Sequence, residues 1–351
     1  MNRLKSVNVT GQLCKLTVDQ DDILSDAVAF YKNPSFDPER PFRVSFRGQP
    51  AIDTGGVLRV FFSAVKEKFC AAELFSIFEG PHSRLLFRYD QSCLAAGIPE
   101  ILGKLVAQSL VHGCGGFPYL APSHYYYIAT TDIQRASAYA SIYDVYDTEK
   151  RDMLDKLISA KENDELQELN SSEPFLNVLQ DSGLVTLPNV DNSIAIAEAM
   201  VSYHVLVKRA VMLDNFAKGL QTLGILEEIR KNPSQFEEVF LHNENAVSAS
   251  AVLQSIVFKP EDATMYAMLA SFINDASEQE LESLLKFITG ISSVPFVRVA
   301  LEVNSTSTSI FASTCLMKLC LPAMLGTLDQ ESFNSSMSAA IRQEGKEFTS
   351  C

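Results

Sequence analysis

The chain has 351 residues, 47% of them apolar, with 22 Phe and no Trp, and it carries a net charge of −14 with a pI near 4.9. This length exceeds one ordinary compact domain, so two lobes are expected, and the apolar content excludes a disordered chain. The acidity excludes a nucleic-acid surface, which needs clustered Lys and Arg.

In chain order, alternating polar and apolar positions (Leu13, Lys15, Leu16, Val18) predict a short strand. A helix is predicted from Asp22 to Tyr31, with Ile23, Leu24, Ala27 and Phe30 on one face, broken by Asn33-Pro34 and Asp37-Pro38. Phe42 to Phe46 alternates as a strand and Arg47-Gly48-Gln49-Pro50 turns it. After Asp53-Thr54-Gly55-Gly56, residues Val57, Leu58, Phe61, Phe62 and Val65 recur at helical spacing, with Asp53 read as the N-cap. The glycine pair lacks the GxxxxGK[ST] framework and is no phosphate loop.

Ile98 to Leu110 predicts a buried helix ended by Gly113-Cys114-Gly115-Gly116. Tyr125, Tyr126 and Tyr127 read as core packing rather than a binding platform. Residues 131–192 are charge-rich, with helices predicted at Asp152–Ile158 and Glu165–Leu169, and Leu184–Pro188 as the one strand candidate. Ile194 to Leu223 reads as a long helix or a broken pair, and Asn232-Pro233 stops the next helix. His204 lies on its apolar face, where a packed, hydrogen-bonded side chain is expected. Residues 240–245 lead into polar sequence, read as a junction. Ser277 and Glu280 have the form of a capping box, with Leu281, Leu284, Leu285 and Ile288 on one face behind it. A Ser/Thr/Asn loop follows at Asn304–Ser309, and a last helix, Asp329–Glu344, turns Phe333, Met337, Ala340 and Ile341 inward and closes at Gly345.

Seven cysteines stand at 14, 70, 93, 114, 315, 320 and 351. An odd count with irregular spacing and no CxxC argues against both a disulfide framework and a zinc site, so neither a metal nor another cofactor is predicted. Reduced thiols fit the cytoplasm and/or nucleus. The amino terminus has no apolar h-region, and no apolar run approaches the ~20 residues that span a bilayer, so no membrane partner is expected.

Cys315 carries the one pattern that points to chemistry. It lies in Ser313-Thr314-Cys315-Leu316-Met317-Lys318-Leu319-Cys320-Leu321-Pro322. A lone free cysteine is usually a buried, inert one, and core filling is the reading given to Cys320. Around Cys315, however, Thr-Cys is followed by Leu319, Leu321 and Pro322 at the spacing found at the active-site cysteine of HECT ubiquitin ligases, which this segment resembles. Phe348 matches a phenylalanine near the family's carboxyl end, and Phe287-Ile288-Thr289-Gly290 resembles a helix end of its carboxyl lobe. Val44-x-Phe46-x-Gly48 followed by Asp53-x-Gly55-Gly56-x-x-Arg59-x-Phe61-Phe62 is similar to the opening of the amino lobe, with Gln49 and Val60 where that pattern has acidic residues. Gly103-Lys104-Leu105 stands where the family has a Gly-(Arg/Lys)-Leu helix.

The resemblance implies a mostly helical α+β, bilobal fold: a large helical amino-terminal lobe over 1–240, a hinge at 241–245, and a smaller α/β carboxyl-terminal lobe over 246–351. It implies ubiquitin, a ubiquitin-conjugating enzyme and a protein substrate as partners. Cys315 is then the catalytic nucleophile, supported by Thr314, Ser313, Pro322 and Phe348. Thioester exchange is near neutral in energy, so a modestly activated thiolate suffices. Thr314 is expected to donate to the thiolate or oxyanion, Pro322 to anchor the loop, and Phe348 to orient donor and acceptor.

Several features depart from the family. Ser313 and Met317 replace a common His and Asn, residues 131–192 offer an abbreviated region for docking the conjugating enzyme, and a common Trp position falls near Met268–Phe272. A short-form subgroup related to cell-cycle-phase ligases is the best match. Two functions stay open: an active ligase, and a pseudo-ligase kept as a protein- or ubiquitin-binding module.

Overall fold

The computed structural model describes residues 12–48, 56–71, 74–242, 247–295, 298–314 and 316–343. The described residues are 60% helical with small sheets, the mostly helical α+β class expected. In order it runs β1 (Cys14–Val18), α1 (Ile23–Lys32), β2 (Phe42–Phe46), α2 (Gly56–Cys70), β3 (Phe78–Glu79), β4 (Leu86–Phe87), α3 (Gln91–Ala95), α4 (Ile98–Val111) and α5 (Pro122–Thr130). Next come α6 (Ile133–Ser137), α7 (Thr148–Ser159), α8 (Asn163–Asn170), α9 (Glu173–Asp181), α10 (Ser193–Val205), α11 (Ala210–Leu220), α12 (Ile225–Lys231) and α13 (Glu237–Phe240). The chain continues with α14 (Ala249–Ser255), β5 (Ile256–Val257), α15 (Ala263–Asp275), α16 (Glu278–Thr289), β6 (Val299–Asn304), β7 (Phe311–Ser313), β8 (Lys318–Pro322) and α17 (Gln330–Gln343).

Two compact units divide the chain. One draws on residues 1–71, 105–116 and 243–351, the other on 72–104 and 117–242, so α4 is counted partly with each.

In the first unit β1 and β2 pair in parallel, Cys14 opposite Phe42 through Val18 opposite Phe46, with α1 as the crossover. Buried Phe61, Phe62, Val65 and Phe69 form the inner face of α2. Lys66 is buried with them, and its ammonium donates to Ser109 Oγ at 3.0 Å and to the carbonyls of Cys114, Gly115 and Gly116 at 3.1, 3.2 and 2.8 Å. Burial lowers Lys66 to about 8, while these four acceptors oppose its deprotonation. A charged side chain thus ends α4 by satisfying the carbonyls of the glycine stop.

Toward the carboxyl end, β5-β6-β8-β7 form one sheet, parallel except for the β7–β8 hairpin. Its core joins Leu319 and Leu321 to Leu284 and Leu285 of α16 and to Phe333 and Met337 of α17. The capping box starting α16 is present: Glu280 donates its amide to Ser277 Oγ and accepts from the Ser277 amide.

In the second unit the turn between α10 and α11 is tied by Arg209. Its Nε donates to His204 O and its Nη1 to Phe87 O, both at 2.7 Å, and its Nη2 pairs with Glu79 at 2.5 Å. His124 sits beside it, accepting from the Phe87 amide at 3.2 Å and contacting Val205 O at 2.8 Å. Gly103 and Gly219 let α4 and α11 touch backbone to backbone, since a Cβ on Gly103 falls 2.2 Å from Phe216 O. The tyrosine run is packing: Tyr125 and Tyr127 are buried, Tyr127 donates to Asp214 Oδ1 at 3.0 Å, and Tyr126 stacks on Tyr139 at 3.8 Å.

Two expectations fail locally. Leu184–Pro188 forms no strand, because no partner strand lies beside it among the described residues: Val185 is 94% exposed, and the segment is held by side chains, Asn170 Nδ2 donating to Pro188 O at 2.9 Å. His204 is buried as expected, but its Nε2 has no hydrogen-bond partner among the described residues. Desolvation there lowers its pKa to about 4, so the ring stays neutral. The Ile194–Leu223 stretch is the broken pair, α10 and α11. The expected caps at Asp53 and Gly345 and residues 243–245 of the junction lie outside the described residues.

Candidate active site

The sheet order builds the site. Strand β8 is central, because Leu319, Cys320, Leu321 and Pro322 are all buried, and β7 folds back on it with Ser313 opposite Lys318. The chain between these two residues is a hairpin tip. The Leu316 amide donates to Ser313 O at 3.1 Å, and the Ala300 amide of β6 donates to Met317 O at 2.8 Å, fixing both ends of the tip to the sheet. Leu316 projects outward, 67% exposed. Cys315 belongs to this tip by sequence, and it and Phe348 lie outside the described residues.

Ser313 and Thr314 therefore flank the cysteine position at one end of the hairpin. Pro322 does not join them. It ends β8 opposite Asn304, four residues beyond Lys318 and so ~13 Å along the strand. It is buried at the foot of the sheet.

Met317 occupies the place of the family's Asn and adopts φ +52. That left-handed region costs a non-glycine residue ~1–2 kcal/mol, less for Asn, whose short polar side chain bonds locally. Met317 is only 9% exposed, and burying a Met side chain contributes ~1.5–3 kcal/mol, so packing outweighs backbone strain. The residue that resulted presents an apolar group to the core where the family pattern has an amide.

A residue to which sequence reasoning gave no role reaches this hairpin. Arg59, in the first turn of α2, donates Nε–H to Thr289 O at 2.8 Å and an Nη2–H to Thr314 O. Thr289 O is one of the last carbonyls of α16, which have no partner inside the helix and sit at its negative end, so a guanidinium there is doubly favoured. The Thr289 hydroxyl donates to Leu285 O at 2.7 Å and accepts from the Ile291 amide at 3.2 Å, which fixes this helix end. Gly290 follows at φ +81, and a Cβ on it would lie 3.2 Å from Val60 Cγ2. The Thr-Gly helix end and the Arg-x-Phe-Phe helix start, matched separately in the sequence, thus lie against each other.

The seam continues along α2. Arg59, Ser63 and Glu67 recur every four residues on one face; Ser63 donates to Glu67 at 3.3 Å, and Lys286 donates to both Glu67 oxygens at 2.9 and 2.8 Å. The ion pair is solvent-exposed, 48% and 37%, and is worth ~0.2–1 kcal/mol. The two hydrogen bonds from the part-buried guanidinium to neutral carbonyls are together worth ~1–3 kcal/mol. Arg59 dominates the seam.

Across the sheet Lys318 pairs with Glu302 at 2.6 Å; their hydrogen bond raises the lysine and lowers the carboxylate. Cys320 is 3% exposed, and burial raises its thiol, as befits core filling. Among the described residues no group of three or more His, Cys, Asp or Glu is placed to hold a metal, and no helix is long and apolar enough to cross a membrane.

Comparison with known proteins adds a family. The model described as "HECT-domain (ubiquitin-transferase)" matches residues 65–350. The chain is 23% identical over 290 residues to the human G2/M phase-specific E3 ubiquitin-protein ligase, covering 80% of this chain and 40% of that one. The corresponding protein of Gallus gallus is 24% identical over 317 residues, covering 84% and 41%. The chain spans about two fifths of the length of the curated relatives it matches.

Proposed function

Because the chain belongs to the HECT-domain (ubiquitin-transferase) family, we propose that it carries ubiquitin as a thioester on Cys315 and passes it to a substrate lysine. The observation that supports this reading is the β7–β8 tip, where Thr314 and exposed Leu316 stand next to the cysteine in sequence. The Cys315 thiolate attacks the carbonyl carbon of the thioester on the conjugating enzyme. A C–S bond forms, the oxyanion collapses, and the enzyme's own thiolate leaves and is protonated. A lysine amine then attacks the new thioester, the amide forms as the Cys315 thiolate departs, and the surplus amine proton passes to solvent.

Thr314 supports the oxyanion through its hydroxyl, Ser313 replaces the family's imidazole with a smaller polar group, Pro322 anchors β8, and Phe348 orients the donor. Residues 1–240 form the amino-terminal lobe, 131–192 the docking region for the conjugating enzyme, 241–245 the hinge and 246–351 the carboxyl-terminal lobe. The protein works in the cytoplasm or nucleus, where the thiol stays reduced.

A second reading has its own support. With Met317 turned into the core and Ser313 in place of imidazole, the tip loses polar groups that activate a thiol, which favours a pseudo-ligase that binds ubiquitin or other proteins. One experiment separates them. The chain, in a Cys351→Ser background to remove the terminal thiol, is incubated with activating enzyme, a panel of conjugating enzymes, ubiquitin and ATP. A reductant-sensitive adduct on a non-reducing gel, lost in Cys315→Ala, is the expected result; a folded protein that forms none with any panel member is the binding module.

A further inference from the structure

Arg59 bridges two carbonyls that are 25 residues apart in sequence and more than two hundred residues from itself: Thr289 O at the end of α16 and Thr314 O, immediately before the cysteine position. Neither acceptor is charged, and among the described residues Arg59 forms no ion pair. Both carbonyls lie outside the helix and strand ladders, so the guanidinium meets a need that the local backbone leaves open. A planar fork is suited to this task, because two N–H groups on different nitrogens reach two separate oxygens at once, whereas an ammonium is a point charge.

We propose that Arg59 is a positioning residue for the second half of the reaction: it fixes the hairpin against α2 so that the thioester carbonyl is presented to the acceptor amine in one orientation. The proposal rests on the thioester reading for its chemistry. The two half-reactions differ in what they ask of the tip. Exchange between two thiols is near neutral and tolerates a mobile nucleophile. Aminolysis gains most from fixed alignment of amine and carbonyl. Loss of the bridge therefore falls on discharge, not on loading. Gly290 against Val60 and Lys286 on Glu67 hold α16 to α2, but Arg59 alone of these contacts touches the hairpin itself.

The test is single-turnover kinetics on Arg59→Gln and Arg59→Lys in the full chain with Cys351→Ser. Loading from a charged conjugating enzyme is timed first, and then, after quenching, discharge to free lysine. The expected result is loading within about twofold of wild type and discharge slowed about tenfold. Arg59→Lys keeps the charge and the aliphatic stem, serves if the glutamine variant fails to fold, and recovers little of the discharge rate. Loading and discharge falling in proportion, or neither changing, overturns the proposal, as does full rescue by lysine.

A second readout needs no ubiquitin. Hydrogen exchange at the Leu316 amide, bonded to Ser313 O, becomes about tenfold faster in Arg59→Gln if the bridge holds the tip. Unchanged exchange overturns the proposal even where ubiquitin chemistry is absent. A wild-type chain that forms no thioester, yet whose tip loosens on substitution, instead rejects the thioester reading and retains the latch.

Discussion

Two arginines do similar work in different regions, and they differ in permanence. Arg209, in the unit built on α10 and α11, is buried, and it satisfies two carbonyls and a carboxylate together. Arg59, at the start of α2, is half-buried and holds two carbonyls with no counter-ion among the described residues. A buried charge with its counter-charge is a fixed strut, since releasing either partner strands the other in low dielectric. A half-solvated guanidinium on neutral acceptors exchanges them for water at modest cost. The first arrangement suits a scaffold and the second a contact that forms and breaks.

Paired substitutions test this contrast at its largest. Arg209→Ala leaves Glu79, His204 O and Phe87 O without their donor, and we expect a loss of about 3–5 kcal/mol in urea unfolding. Arg59→Ala is expected to cost about 1–3 kcal/mol, because water reaches its acceptors. Equal losses break the distinction between strut and latch.

Acid sharpens it. His124 packs next to Arg209, and burial above all, with that neighbouring charge adding to it, lowers its pKa to about 3. Between pH 6.5 and 3 the unfolded chain binds a proton that the folded chain refuses, so stability falls as the pH falls. From pH 7 to 5 this term removes about 2 kcal/mol. Amide exchange in the unit holding Arg209 therefore accelerates on acidification, and His124→Gln weakens the dependence, leaving the part due to His204. A stability that stays level from pH 7 to 5 contradicts the neutral, buried histidine.

The elements were legible wherever a period met a boundary signal. Leu16 and Val18, the capped face Leu281–Ile288, and the inward Phe333 and Met337 all carry their burial in their spacing. Leu184–Pro188 misled because β-branched and apolar residues suit a strand only if another strand lies alongside, and that depends on distant chain. Arg59 is the sharper case. Its motif was visible, but its acceptors lie 230 and 255 residues away and are backbone carbonyls, atoms that every residue has and no sequence marks. Met317 was visible as a departure from the family, but not as a left-handed residue whose side chain is buried. The expectation for Cys315 rested on spacing to Leu319, Leu321 and Pro322, while the hairpin that carries Thr314 and Leu316 depends on β6, β7 and β8 meeting in one sheet.

The smallest effect bears on which contact governs the seam. Lys286 grips both oxygens of Glu67 at 2.9 and 2.8 Å, the better-formed geometry of the two contacts on this face of α2. Geometry alone ranks it above Arg59. Exposure reverses the order: at 48% and 37% the charges are largely hydrated before they meet, and each side chain loses rotamer freedom on pairing. Glu67→Gln is therefore expected to cost about 0.2–1 kcal/mol, and the difference from wild type should shrink in 1 M salt, where the Debye length is roughly 3 Å. Leu316 exchange should not change, since the hydrogen bonds that Glu67 accepts come from Ser63 and Lys286 and not from the tip. A loss well above 1 kcal/mol, or a tip that loosens with it, means that the seam acts as one cooperative strip from Arg59 to Glu67. The latch is then α2 as a whole, and its resemblance to the Arg209 strut is closer than exposure suggests.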